Sequence, residues 1–393
     1  MGNAYPEPAD LTVNVREMTG LLGGLPLAVL HDHLDGGLRS QTVVDLAQEC
    51  GYTGLPTTDA AELAQWFSAA ADSGSLERFL ETFAHTVAVL QTPQALQRVA
   101  AEAVVDLAAD GARWVELRMA PELCENARMS MDAAVTAMLH GLREGERMAA
   151  AQGMRIDAGL ILCAMRQADR AVEVAELVRA RLDDGVIGFD IAGPERGFEP
   201  LRLRDAFDVV RGTPARITVH AGEAAGVESV RQALAVGAER LGHGVRIIED
   251  IGVSGDDATL GRVASYVRDR GIALEICPRS NVQTGAVSGV DAHPLALLDE
   301  LGFVVTVSAD NRLMCATTPA AEMATALRRV PDAASAKLRW TRNAIDASFA
   351  PHDVKARLRA ELDSSQTSES GHQAQGADTS REGMGAHASR ERA

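Results

Sequence analysis

The apolar run Leu27–Leu30 ends in His31-Asp32-His33, which sets two histidines two residues apart. If the run is a strand, their imidazoles share one face while Asp32 points to the other. One barrel strand then aims two nitrogen donors at the same point. A second apolar run, Ile217–Val219, ends in His220-Ala221-Gly222-Glu223. A histidine there costs desolvation unless something satisfies it, and the small residues behind it permit a tight turn. Glu223 stands just beyond the strand, within reach of whatever His220 binds. In Leu241-Gly242-His243-Gly244 the flanking glycines admit close approach by another group. Val307-Ser308-Ala309-Asp310-Asn311 adds an acid at a further strand end. Taken singly, His243 or Asp310 is a hydrogen-bonded strand-end residue. Together, four strands offer His31, His33, His220, Glu223, His243 and Asp310. Imidazole and carboxylate suit zinc and its neighbours among the transition metals, and three histidines with one aspartate leave an open position for water. A bound cation lowers the pKa of that water from about 15.7 towards about 7. Glu223 is then free to shuttle a proton and His243 to orient the nucleophile. The combination predicts metal-assisted hydrolysis.

Such a site needs strands that end side by side. The sequence offers eight candidates: Leu27–His33, Trp114–Met119, Arg155–Cys163, Val186–Ile191, Ile217–His220, Arg240–Gly244, Ile272–Cys277 and Val304–Ser308. Most are continuously apolar, as strands buried on both faces are. Between them lie stretches rich in helix formers, such as Met131–Gln152 and Ala168–Asp183. Alternation of this kind implies parallel pairing with right-handed crossovers, and eight units predict a closed α/β (β/α)8 barrel. An open doubly wound sheet is the alternative, but the Gly-rich dinucleotide turn is missing after the first strand. Before the second strand the periodic runs Thr42–Cys50, Ala60–Ala71, Leu76–Leu90 and Pro93–Asp110 predict a helical insertion over residues 38–110. It emerges on the face where barrel sites lie, so we expect a lid that excludes water. Ala320–Val330, Ala333–Asp346 and His352–Asp363 are expected as extra C-terminal helices.

With 46% hydrophobic and 24% charged residues, the 393-residue chain can build one large barrel, placed at residues 16–363. Residues 1–15 lack periodicity, and residues 364–393 hold Met384 as their one large apolar side chain, so a flexible start and a disordered tail are expected. His372 and His387 fall in that tail and are set aside as ligands. The 55 acidic against 38 basic residues give a net charge of −17, which argues against nucleic acid or an anionic membrane as partner. Five scattered cysteines without a C-x-x-C pair argue against a disulfide framework or a cysteine zinc site, and a reducing compartment fits them. The longest uncharged run, Gly20–Leu30, is too short for a bilayer and lacks a basic start and a cleavage site. A cytoplasmic protein is expected.

His31-Asp32-His33-Leu34-Asp35-Gly36, Thr218-Val219-His220-Ala221-Gly222-Glu223, Glu239-Arg240-Leu241-Gly242-His243-Gly244 and Ser308-Ala309-Asp310-Asn311 resemble, in order and spacing, the motifs of adenosine deaminases. Phe189-Asp190-Ile191-Ala192-Gly193 and Cys277-Pro278 with Thr284-Gly285 are similar to further family segments. The likeness runs from Leu27 to about residue 345. It implies a (β/α)8 deaminase with one Zn2+ per chain that converts adenosine and 2′-deoxyadenosine to inosine and 2′-deoxyinosine plus ammonia, a step of purine salvage. By position His31, His33, His220 and Asp310 would ligate zinc, and Glu223 would protonate purine N1. His243 would hold the hydroxide, with Asp310 accepting its hydrogen bond. His33 would border the substrate, the Gly193 N–H would meet N3, and Asp35 would bind the ribose 5′-hydroxyl. Many members carry a second aspartate where this chain has Asn311, beside purine N7. N7 is an acceptor, so an aspartate must be protonated to donate to it, whereas an amide donates without titrating. The other zinc deaminase class needs H-x-E with P-C-x-x-C, which this chain lacks. Alternatives are a deaminase of adenine or of a modified nucleoside such as aminodeoxyfutalosine, or an inactive purine-binding barrel. The first two commonly carry glutamate where Asp35 stands, and no catalytic position is lost here.

Overall fold

The computed structural model of the chain describes Leu22, residues 24–255 and residues 257–365. The start at residues 1–15 and the tail from residue 366 lie outside the described residues, while residues 364 and 365 still belong to a helix over residues 352–365.

Among the described residues ten strands follow one another: β1 (Leu27–His33), β2 (Ala112–Met119), β3 (Asp157–Met165), β4 (Val186–Ala192), β5 (Arg216–Ala221), β6 (Arg240–His243), β7 (Ile251–Ser254), β8 (Asp257–Leu260), β9 (Ala273–Ile276) and β10 (Val305–Val307). Eight of them form one sheet in the order β1-β2-β3-β4-β5-β6-β9-β10, every pair parallel. The barrel closes at its mouth, where β1 and the end of β10 form a bridge between Asp32 and Asp310. There the His33 N–H donates to Asp310 O at 2.8 Å and the Asp310 N–H to His31 O at 3.1 Å. The seam that closes the barrel is therefore built by residues of the polar cluster itself.

All eight expected strands occur, with ends moved by at most two residues. β7 and β8 were not expected; they form an antiparallel hairpin. Its eight residues are mostly exposed, so no apolar periodicity marks them. The expected helix Leu76–Leu90 divides into Leu76–Glu81 and Phe83–Val89. At the break, Thr82 returns both its N–H and its hydroxyl to Phe79 O, an i−3 closure that ends the first helix. Asp59, Ser75 and Thr92 cap the helices Ala60–Ala71, Leu76–Glu81 and Pro93–Ala109 with side-chain oxygens. After the barrel come Pro319–Leu327, Ala333–Ala347 and the helix at residues 352–365.

The barrel interior is less apolar than the strand sequences suggested. Glu116, Arg118, Asp190, Arg240 and Glu275 are all buried inside. Arg240 joins Glu116 (2.5 Å) to Glu275 (2.7 Å), and Arg118 joins Glu275 (2.9 Å) to Asp190 (2.7 Å). Three carboxylates against two guanidiniums leave one negative charge in excess, directly behind the mouth. Removing one partner of such a pair costs roughly 3–5 kcal/mol, because the other charge stays buried alone.

Candidate active site

The ends of β1, β5 and β6 and the turn after β10 bring together the residues singled out in the sequence. His33 Nε2 lies 3.2 Å from His220 Nε2 and 3.4 Å from Asp310 Oδ1. His31 Nε2 lies 3.3 Å from the same aspartate oxygen. His31, His33 and His220 can place one donor atom each within 4.8 Å of one another, as can His31, His243 and Asp310. As expected, Asp32 faces away and pairs with Arg312 at 2.9 Å. His243 and Asp310 both hold left-handed backbone, with φ of 62° and 63°. Such non-glycine strain costs of the order of 1–3 kcal/mol and persists where the surroundings fix it.

The donor set fits a divalent transition-metal ion. His31 Nδ1 is 2.8 Å from Glu275 Oε2, and His220 Nδ1 is 2.8 Å from Asp190 Oδ2. A carboxylate at Nδ1 draws the ring proton there and leaves the Nε2 lone pair for a cation. His31 Nε2 is a buried polar atom without a hydrogen-bond partner. Burial holds His33 well below the ordinary histidine range and lowers His220 too, so both stay neutral. His31 differs: burial and Arg118 oppose its charge, yet Asp310 and Glu275 outweigh them and raise it. The place between His31 and Asp310 thus favours positive charge.

Glu223 sits beside this cluster, its Oε2 3.6 Å from His243 Nε2. Burial, then the negative Asp310 and Glu195, push it well above the ordinary carboxylate range. The buried setting favours its protonated form, which has a proton to give. His243 is pulled well below its usual value by burial and stays neutral. An acid and a neutral imidazole therefore face a site that attracts a cation.

His33, His220, Glu223, His243 and Asp310 line the floor of a cavity of about 520 Å3, a size typical of small-molecule sites. Its walls include Leu76, Phe79, Leu80, Phe83, Ala84 and Val87 from the two short helices of the insertion. Asp35, Gly193 and Asn311 also line it. Asp35 is buried, and burial raises it to about 7. Its Oδ1 lies 4.0 Å from His33 Nδ1 and has no hydrogen-bond partner among the described residues. Gly193 has φ +97° and lies so close to Gln167 that a Cβ would come 2.5 Å from Oε1. Gln167 could yield to a side chain, but the dihedral is one that L side chains rarely adopt and glycine takes freely. The Asn311 Oδ1 is packed against Gly36, where a Cβ would overlap it at 1.8 Å. The amide nitrogen is the end left to donate.

Several supporting residues were missed by the sequence analysis. Ser280, on the helix Pro278–Gln283, donates to Asp310 Oδ2 at 2.6 Å, and Asn281 meets His243 Nδ1 at 3.1 Å. The buried Glu195 accepts the backbone N–H groups of Gly222, Glu223, Ala224 and Ala225 and the Ser229 hydroxyl, all within 2.6–3.1 Å. It clasps the turn that carries Glu223. Since all five partners donate, Glu195→Gln, with only one acceptor oxygen, leaves donors unsatisfied at a cost of about 1–3 kcal/mol each. We expect a lower unfolding temperature and roughly tenfold lower kcat with KM within about twofold; unchanged kcat and stability would contradict the clasp.

A family model described as adenosine deaminase matches residues 26–365. The adenosine deaminase of Mycobacteroides abscessus is 52% identical over 332 residues, 84% of this chain and 92% of the relative. The adenosine deaminase of Mycobacterium marinum is 51% identical over 86% of this chain and 94% of its own length. Among solved structures, the Arabidopsis N6-mAMP deaminase superposes with a TM-score of 0.74 at 25% identity, covering 88% of this chain and 99% of that one.

Proposed function

The chain belongs to the adenosine deaminase family, and from that premise we propose that it hydrolyses adenosine and 2′-deoxyadenosine to inosine and 2′-deoxyinosine with release of ammonia. The observation that carries this reading is the meeting of Glu223, whose burial favours its protonated form, a neutral His243 and the cation-attracting group of His31, His33, His220 and Asp310 at the floor of one largely apolar cavity lined by all of these but His31.

His31, His33, His220 and Asp310 would hold one zinc ion, which when bound makes hydroxide available from water near neutral pH. Glu223 gives its proton to purine N1, which breaks ring aromaticity and makes C6 electrophilic. His243 orients the attacking oxygen and steadies the charge that develops there, with Asp310 as a second partner. The Gly193 N–H meets N3, and the Asn311 amide donates to N7. His33 borders the base, and Asp35 receives the ribose 5′-hydroxyl. Carbon 6 gains the oxygen of water and loses its amino group, which takes up one proton of that water and leaves as ammonia, while the other replaces the proton Glu223 gave to N1. The helices Leu76–Glu81 and Phe83–Val89 act as a lid, a reading supported by the apolar side chains they contribute to the cavity wall.

A nucleoside suits the cavity better than a nucleotide. No lysine or arginine lines it among the described residues, and Glu77 and Glu81 do; a phosphate would find repulsion there. No helix of the described residues is long and apolar enough to cross a membrane. A cytoplasmic setting and a part in purine salvage belong to the same reading; the five free thiols suit a reducing compartment.

The direct test is ammonia release from adenosine, 2′-deoxyadenosine, adenine and aminodeoxyfutalosine with one purified, metal-loaded sample. The two nucleosides should turn over fastest, and a clear preference for adenine or aminodeoxyfutalosine would overturn the substrate assignment. Asp35→Ala should raise KM for adenosine about ten- to hundredfold, the worth of a hydrogen bond to a charged group. KM for adenine should stay nearly fixed; equal effects would mean that Asp35 does not touch the sugar.

A further inference from the structure

Behind His243 a chain of hydrogen bonds leads away from the cavity. The Leu295 backbone N–H donates to His293 Nδ1 at 3.1 Å. His293 Nε2 is 3.2 Å from Asn281 Oδ1, and Asn281 Nδ2 is 3.1 Å from His243 Nδ1. The direction of this chain follows from its first member, because a backbone amide nitrogen can only donate. His293 Nδ1 therefore accepts, and a neutral imidazole that accepts at one nitrogen carries its proton on the other. His293 is held down at about 4, first by burial and then by Arg329, so it is neutral near pH 7. Its Nε2–H must donate to Asn281, which turns the amide oxygen towards His293 and the NH2 group towards His243. His243 Nδ1 then has to accept in its turn. Asn281 and His243 are both buried, so solvent does not offer an alternative partner to either.

We propose that His293 and Asn281 are positioning residues that lock His243 in the Nε2–H tautomer, so that His243 enters the reaction as a hydrogen-bond donor and not as a base. The protonated nitrogen is the one that faces Glu223 and the cavity floor. A protonated Nε2 has no lone pair for a cation, so the same relay keeps His243 out of the ligand set. That leaves His31, His33 and His220 as the imidazoles able to bind metal. The catalytic consequence rests on the role given to His243 above; the tautomer itself does not.

The test uses the metal-loaded enzyme with 15N-labelled histidine, His243 being assigned by difference from His243→Gln. We expect Nδ1 of His243 to resonate as an unprotonated nitrogen and Nε2 as a protonated one. Asn281→Asp offers only acceptors, so it should draw the proton to His243 Nδ1 and exchange the two signals. With it kcat should fall at least about a hundredfold while KM and metal content change less than about twofold. Asn281→Ser, which can still donate, should keep the original signals if the buried aspartate prevents folding. A protonated Nδ1 in the unaltered enzyme, or an unchanged spectrum in folded Asn281→Asp, would overturn the relay. Exchanged signals with undiminished kcat would keep the relay and remove the donor role assigned to His243.

Discussion

Glu223→Gln is expected to lower kcat about a thousandfold, within the range that a positioned general acid supplies, while KM and bound metal stay nearly unchanged. Glutamine keeps the shape and the hydrogen bonds of a protonated glutamic acid but has no proton to give. The side chain is buried beside Asp310 and near Glu195, and burial with those two negative neighbours keeps it protonated well above the ordinary carboxylate range. The sign of the pH effect follows. Activity needs the protonated form, so it is present below the raised pKa and declines as pH climbs through it. In Glu223→Gln that alkaline decline should vanish from the residual rate, because the titrating group is gone. Steady-state kinetics across pH, with metal measured on the same samples, checks both statements. Unchanged turnover would remove Glu223 as the acid, and an unaltered alkaline limb would assign that limb to another group.

Much of the site was legible because its residues interrupt apolar runs at the point where a strand ends. His31, His33, His220 and Asp310 could each be placed that way, and their convergence needed only a parallel barrel. The groups behind them were less legible, though a signal existed. Asp190 stands between Phe189 and Ile191, and Glu275 between Leu274 and Ile276. A charge inside a strand buried on both faces is tolerable only if it is paired. That should have marked both acids as partners of something inside, which are Arg118, His31 and His220. Glu195 gave no such signal. Its partners are backbone amides of another loop, which no pattern of side-chain types announces. The relay through Asn281 and His293 was hidden for a related reason: its direction is set by the backbone N–H of Leu295, a group that every residue but proline carries. The exposed hairpin β7–β8 and the break at Thr82 depend on local bonds rather than on periodicity, so the sequence pattern passed over them.

The second large effect concerns the metal. His220→Ala should leave the purified protein with less than about one-tenth of the ion found in the unaltered chain after dialysis against a chelator, and with activity near background, as elemental analysis and ammonia release would show. His33 and His220 present their Nε2 atoms to each other at 3.2 Å, and only an ion or a single proton between them reconciles two such lone pairs. Removing one imidazole leaves His31, His33 and Asp310, a weaker set in which solvent replaces the lost ligand. Asp190→Asn separates this from a general loss of structure. It keeps the volume beside His220 but weakens the hold on Nδ1, and loss of such an outer partner typically lowers metal affinity about 10- to 100-fold. Asparagine also leaves Arg118 its Glu275 partner, so the barrel interior retains a charge pair. The two variants should therefore rank: His220→Ala loses the ion, while Asp190→Asn releases it at a lower chelator concentration than the unaltered chain. Full occupancy in His220→Ala would contradict the ligand assignment even if activity were lost, because loss of turnover alone could come from a displaced Glu223 three residues further along the same turn.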